Sequence, residues 1–243
     1  MTNYHADLSV VTATYNAVQH LPNLIKSLRD QSDKDFEWVV IDGASTDGTI
    51  ELLKSVDDIK IIFKSQKDFG IYDALNHAIE VSSGTYYLVV GADDLLSKNA
   101  ILHFKKAIEM TSADIITAKV MVDGKVLSRR QYSWIWLHGM SAIISSHAVG
   151  SVFNKSLHKK IGFYSNKYPL TADRLFVKRA YLSGSSIHES DFIAGEYSLQ
   201  GESGTNVLAV ISEHLRVQIE TGESKIIQIL VLIVRLFKNY PNL

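Results

Sequence analysis

The sequence predicts an α/β protein: a mostly parallel, Rossmann-like sheet flanked by helices and followed by a helical tail. Three observations carry that reading. Short Val/Ile-rich runs alternate with segments of helical period through residues 8–110, with little spare linker. Those runs end in polar residues, Asp42 and the pair Asp93-Asp94 among them. Beyond Thr205 the pattern turns helical to the end. Such alternation calls for right-handed crossovers and a parallel sheet covered on both faces.

Each element has its own signal. Residues 8–14 are β-rich, and Leu21, Leu24, Ile25 and Leu28 then share one helical face, with Pro22 suited to that helix's first turn. Residues 36–41 form a second strand ending at Asp42, and 45–49 carry turn and N-cap chemistry before a helix over 50–53. A third strand over 60–64 precedes Ile71, Ala74, Leu75, Ala78 and Ile79 at helical spacing, closed by Ser83-Gly84. The fourth strand, 86–90, leads to the acid pair and a helix through Ile101, Phe104 and Ile108. After Asp114 the rhythm changes: a strand over 115–118, a hairpin around Asp123-Gly124, aromatic Tyr132, Trp134 and Trp136, a strand over 151–153, and a helix over 173–182. This half is expected to extend the same sheet. The predicted organisation is one catalytic domain over 1–205, divided near residue 110, and a helical tail over 206–243.

Bulk properties narrow the function. A chain of 243 residues, 46% hydrophobic, can bury one substantial core. A net charge of -1 provides no field to recruit nucleic acid. The absence of cysteine excludes disulfides, zinc-thiolate sites and thiol catalysis. The first residues lack a basic n-region and a long apolar run, and no stretch reaches the roughly 20 apolar residues of a spanning helix, so a cytoplasmic protein is expected.

The chemistry gathers at strand ends. Ligands on open α/β sheets bind outside the carboxyl ends of the strands. There the chain offers polar residues over 12–16, including Thr14 and Asn16, then Asp42, then 64–68 with Asp68, then Asp93-Asp94. Two adjacent acids repel unless a cation joins them, and a divalent ion carrying phosphates suits that place. The same pair would also suit the start of the helix that follows. Asp42 can accept from a base N–H or a ribose hydroxyl, or cap the turn beneath it. Asp47 reads as a structural cap. Neither G-x-G-x-x-G nor a P-loop occurs.

Four ordered motifs resemble those of family 2 glycosyltransferases: Val-Val-Thr-Ala-Thr-Tyr-Asn (10–16), Trp-Val-Val-Ile-Asp-Gly-Ala-Ser-Thr-Asp-Gly-Thr (38–49), Lys-Asp-Phe-Gly-Ile-Tyr-Asp-Ala-Leu-Asn (67–76) and Gly-Ala-Asp-Asp (91–94). The third is similar to its counterpart in bacterial enzymes that assemble surface polysaccharides. The resemblance implies a GT-A fold and an inverting transfer of a sugar from a nucleotide donor to a saccharide or lipid-linked acceptor, with Mn²⁺ or Mg²⁺. It gives Asp94 the metal and Asp93 a ribose or supporting contact. Thr14, Asn16, Asp42 and Asp68 fall around the donor, with Tyr72 and Asn76 in the segment skirting it. Gly43 replaces the second acid of the usual Asp-Asp-Gly-Ser loop. An inverting transfer needs a general base, and Asp173, at a helix start, matches the family's acidic segment; Ala172 replaces the usual neighbouring acid. His147 stands where relatives carry His-Gln and would face the donor phosphates or the acceptor. Residues 200–204 resemble a loop at the active-site mouth.

Other features carry structural alternatives. His138, His158 and His188 lack metal-ligand spacing and read as structural. Trp134 and Trp136 would line a core or stack on a sugar. In the tail, Lys225, Gln228, Arg235 and Asn239 fall near one face of an otherwise Ile/Leu/Val-rich helix. It would pack on the domain, form a dimer, or lie through residues 224–243 on the inner membrane face. A sugar-1-phosphate nucleotidyltransferase would open with a Gly-rich basic loop, which 12–16 does not supply. A silent nucleotide-sugar binder has no need of Asp93, Asp94 and Asp173 together.

Overall fold

The computed structural model describes residues 8–131, 134–198 and 206–239. One nine-stranded sheet runs through it in the order β3-β2-β1-β4-β8-β6-β9-β5, with β7 paired to β6. Strands β1 (Leu8–Thr14), β2 (Glu37–Asp42), β3 (Ile61–Ser65) and β4 (Tyr86–Val89) are parallel. Strand β8 (Ser151–Asn154) joins antiparallel to both β4 and β6 (Ile115–Val122), and β9 (Ile187–Glu196) continues parallel to β6. Two short pieces, β5 (Leu95–Leu96) and β7 (Lys125–Leu127), complete it.

Parallel strands covered on both faces read as near-continuous apolar runs, and every residue of β2 is buried. Alternate side chains serve opposite layers. Val10, Val40 and Leu88 meet α1 (Leu21–Arg29) and α4 (Ala100–Thr111) through Leu24, Leu28, Ile101 and Phe104. Val11, Val39 and Val89 meet α3 (Ile71–Val81) and α7 (Ala172–Leu182) through Leu75, Ala78, Leu175 and Phe176. Helix α2 (Thr49–Lys54) starts at Gly48, whose φ of 100° is open to glycine without strain, while Asp47 accepts from the Thr49 N–H and hydroxyl.

The second half departs from the sequence reading in particulars. Strand β9 and the short helices α5 (Ile135–His138) and α6 (Leu157–Ile161) were not foreseen. Trp134 and Trp136 do not line the core: Trp134 is exposed and stacks on Trp136 with ring centroids 5.5 Å apart. Tyr132 and the 200–204 loop lie outside the described residues.

The tail forms α8 (Val207–Glu220) and α9 (Lys225–Asn239). Helix α9 is inverted relative to an ordinary surface helix. Its Gln228 is buried and donates to the Trp136 carbonyl at 2.7 Å, while Arg235 donates to the Leu137 carbonyl. With Gln218 of α8, they satisfy carbonyls that the single turn of α5 leaves open. Ile226, Ile229, Leu230, Val234 and Phe237 point to solvent.

Candidate active site

The carboxyl edge of β1–β4 carries two cavities that share Ile71. The first, about 300 Å³, is lined by Asp93, Asp94, His147, Asp173 and Arg174 among others. The second, about 620 Å³, lies over Thr14, Tyr15, Gly43, Ala44, Lys67 and Asp68.

Asp42 sits where Thr14, Asp42 and Ser65 align across three strands. It is fully buried and accepts from Thr14 Oγ1 at 3.1 Å, Ser65 Oγ at 2.8 Å, the Ser45 N–H at 2.9 Å and the Ser45 hydroxyl. Of the two expectations for Asp42, the structure displays the structural one: Asp42 ties strand ends together, and both its oxygens accept internal hydrogen bonds. The Thr14 hydroxyl is used in the same way. Asn16, at φ 48°, accepts from the Thr46 N–H at 3.0 Å and knits the loop after β1 to the loop after β2. Asp68 does reach the second cavity. Its Oδ1 accepts from the Gly70 N–H, and its Oδ2 lies 2.9 Å from where a Cβ on residue 43 would stand. Asp68 thus fills the space beside Gly43. Tyr15, 69% exposed, adds an aromatic wall that the sequence reading passed over.

The acid pair divides its labour. Asp94 is 2% exposed; Oδ1 accepts from the Ser198 N–H at 2.9 Å and Oδ2 from the Gly91 N–H at 2.8 Å. Burial, with a smaller push from Asp93, drives its carboxyl up to about 7 against those two hydrogen bonds. Asp93 is half-buried and lines the cavity. A Cβ on Gly91 would stand 2.8 Å from Asp94 Oδ2 and 3.0 Å from Asp93 Oδ1, so glycine there leaves room for both carboxylates to converge. Among the described residues no three metal-ligating side chains cluster. An acid pair without further protein ligands fits a hard cation that takes its remaining oxygens from phosphates and water.

Across the cavity, Asp173 stands in the first turn of α7, and the Tyr72 hydroxyl donates to its Oδ1 at 2.8 Å. Burial, then the Asp173 charge, pushes the Tyr72 phenol well above its ordinary 10, so it stays a donor. Asn76 faces away from this role: it pairs with the Tyr164 backbone, giving at 2.9 Å and accepting at 3.0 Å. His147 is buried, and its Nε2 meets the Tyr164 hydroxyl at 2.6 Å. Arg174, also unforeseen, brings a fixed positive charge to the cavity wall and donates to His214 Nδ1 at 2.9 Å.

A parallel sheet with paired acids at its carboxyl edge, facing a lone carboxylate across one cavity and beside a second that shares Ile71 with it, has the architecture of the GT-A class of glycosyltransferase. Solved structures agree on the fold. The chain superposes on Staphylococcus aureus TarS 1-349 in complex with UDP-GlcNAc with a TM-score of 0.71 at 19% identity, covering 97% of this chain and 73% of that one. The mannosyltransferase PcManGT from Pyrobaculum calidifontis, in complex with GDP-Man and Mn²⁺, gives 0.68 at 14% identity, covering 98% and 76%. The sequence profile of Glycosyl transferase family 2 matches residues 9–176, and the chain belongs to that family. A PGL/p-HBAD biosynthesis glycosyltransferase of Mycobacterium tuberculosis is 26% identical over 181 residues, 71% of this chain and 69% of the relative. The putative teichuronic acid biosynthesis glycosyltransferase TuaG of Bacillus subtilis is 31% identical over 104 residues, 42% and 41% of the two chains.

Proposed function

We propose that this enzyme transfers a sugar, with inversion, from a nucleoside diphosphate donor to a hydroxyl of a saccharide or lipid-linked saccharide in bacterial surface polysaccharide assembly. The observation that carries this reading is Asp173, oriented by Tyr72 and facing the acid pair across one cavity. The base and ribose would occupy the second cavity, with Tyr15 stacking on the base and Asp68 accepting from it. That layout supports the donor-side roles of Asp68 and Asp93, while Thr14 and Asn16 shape the loop beneath.

Asp93, half-buried on the cavity, is the better direct ligand for Mn²⁺ or Mg²⁺, and Asp94, buried and accepting one backbone N–H at each oxygen, holds the turn behind it. This reverses the order the sequence resemblance gave. When bound, such an ion supplies positive charge against the diphosphate. Arg174 adds charge from the other wall. Asp173 accepts the acceptor hydroxyl's proton as that oxygen bonds to the sugar's C1, the bond from C1 to the phosphate oxygen breaks, and the nucleoside diphosphate departs.

The likeness to enzymes of PGL/p-HBAD and teichuronic acid biosynthesis supports a cell-surface acceptor, one that would be held at a membrane. Among the described residues no helix is long and apolar enough to cross one. Helix α9 instead offers an outward apolar face flanked by exposed Lys225 and Lys238, with no acid between Lys225 and Asn239. That combination suits peripheral contact with an anionic, cytoplasmic leaflet.

The test is turnover of UDP- and GDP-sugars with Mn²⁺ and an acceptor. The expected product has inverted configuration at C1, and Asp173→Asn lowers transfer on the order of 10²–10⁴-fold while UDP or GDP affinity holds. Retained configuration, or equal loss of binding and turnover, overturns the assignment.

A further inference from the structure

Behind the cavity a chain of hydrogen bonds runs through buried aromatic groups. His147 Nε2 meets Tyr164 OH at 2.6 Å, Tyr164 OH meets Tyr87 OH at 2.9 Å, and Tyr87 OH meets His158 Nε2 at 2.9 Å. His158 Nδ1 ends the chain on the Gly162 carbonyl at 3.2 Å. That terminus sets a direction. A carbonyl only accepts, so His158 Nδ1 carries the proton. Burial pulls His158 down to about 4, so its ring is neutral and its Nε2 must accept from Tyr87. With its proton committed, the Tyr87 oxygen accepts from Tyr164, whose oxygen accepts in turn from His147 Nε2–H. Burial also lowers His147, against the opposing pull of Asp173, which favours the neutral ring. His147 Nδ1 has no partner among the described residues, yet it is not sealed in: the residue lines the cavity, and among the described residues the buried side-chain polar atom without a partner is His214 Nε2.

We propose that the chain anchored at Gly162 locks His147 as the Nε2–H tautomer, presenting its bare Nδ1 to the cavity as an acceptor for a hydroxyl of the bound saccharide, near Asp173. This rests on the transferase reading above. It narrows the earlier expectation for His147, the donor phosphates or the acceptor, by setting the phosphates aside. A diphosphate oxygen accepts and cannot donate, so Nδ1 in this tautomer has nothing to take from a phosphate. A sugar hydroxyl can donate to it. His147 is then a saccharide-positioning residue, and Tyr164, Tyr87 and His158 act through it. Asn76 supports the arrangement by clamping the Tyr164 backbone on both sides.

Long-range ¹H–¹⁵N spectra of the full chain, with His147→Gln identifying its resonances, read the tautomer without any substrate. Near neutral pH, Nε2 should carry the proton and Nδ1 should be bare; an Nδ1–H ring or an imidazolium overturns the proposal. Tyr87→Phe removes the oxygen that accepts from Tyr164, whose proton can then turn toward His147 Nε2. That variant should shift His147 toward Nδ1–H and lower kcat/KM for the saccharide on the order of tenfold, with UDP or GDP affinity unchanged. His158→Phe cuts the chain one step further out and should reproduce both effects. A tautomer shift without a change in kcat/KM overturns the proposal. Deoxy donors and deoxy acceptors separate the source: the analogue lacking the contacted hydroxyl should lose about tenfold on the wild type and little more on Tyr87→Phe. If no deoxy position behaves so, no hydroxyl is being held. Failure of wild type to bind UDP or GDP would sink the transferase reading while leaving the tautomer result standing.

Discussion

Replacing Asp94 by Asn separates a buried proton from a bound cation. Asp94 is held up to about 7 in the fold against an ordinary 3.8. A raised carboxyl means the native state binds its proton more tightly than the unfolded chain. The resulting stability is complete below the unfolded value and fades as pH rises through 7. Between pH 5 and pH 8 this is roughly 3 kcal/mol at about 1.4 kcal/mol per pH unit up to the titration near 7. The amide of Asp94→Asn does not titrate. It keeps one acceptor but turns a donor toward either the Gly91 or the Ser198 N–H, a cost of about 1–3 kcal/mol that is independent of pH. Thermal melts of both proteins without added metal, from pH 5 to pH 8, should therefore diverge. The wild type should lose roughly 6–12 °C relative to the variant on moving to pH 8, at about 2–4 °C per kcal/mol for a chain of this size. Titrating groups distant from the pair are common to both proteins and drop out of the difference, while Asp93, whose charge acts on residue 94, adds a smaller coupled change. Parallel curves would refute the reasoning and show Asp94 ionised throughout.

Two further outcomes follow from side chains with different exposure. Asp93→Asn should abolish cation-dependent UDP or GDP binding, measured by calorimetry, while shifting stability by no more than about 0.5 kcal/mol because the group is half exposed; full affinity in that variant would return the cation to Asp94. Ile226→Glu combined with Phe237→Glu, at positions 75% and 78% exposed, should leave the melting temperature near wild type yet reduce co-sedimentation with phosphatidylglycerol vesicles about tenfold or more. Equal sedimentation would remove α9 as the membrane contact.

The parallel half of the fold was legible because fully buried strands leave apolar runs and amphipathic helices leave a 3.6-residue period. The later half was legible in part: the strands over 115–118 and 151–153, the hairpin at 123–124 and the helix over 173–182 are all present, while β9 and the short helices α5 and α6 left no such signal. The ten residues of β9 show little alternation of exposure, and α5 is a single turn whose carbonyls are satisfied by side chains from α8 and α9. Site residues divide the same way. The family resemblance at a helix start brought Asp173 to attention, and strand-end position brought Asp68, Asp93 and Asp94. It could not say which acid of the pair turns inward, since that depends on Gly91 and on Ser198, more than a hundred positions away. Asp42 looked available because the hydroxyls that enclose it come from Thr14, Ser45 and Ser65 on separate segments. The partners of His147 are likewise scattered over positions 87, 158 and 164.

Gly43 and Asp68 stand in a relation of mutual exclusion. With 2.9 Å between Asp68 Oδ2 and the position of a Cβ at residue 43, an acid placed at 43 would compete with the carboxylate already there for a single volume and a single negative charge. The loops after β2 and β3 are therefore coupled in any redesign of donor choice. An acid moved to 43 calls for a smaller, uncharged residue at 68, and either change alone leaves the second cavity with two carboxylates or none.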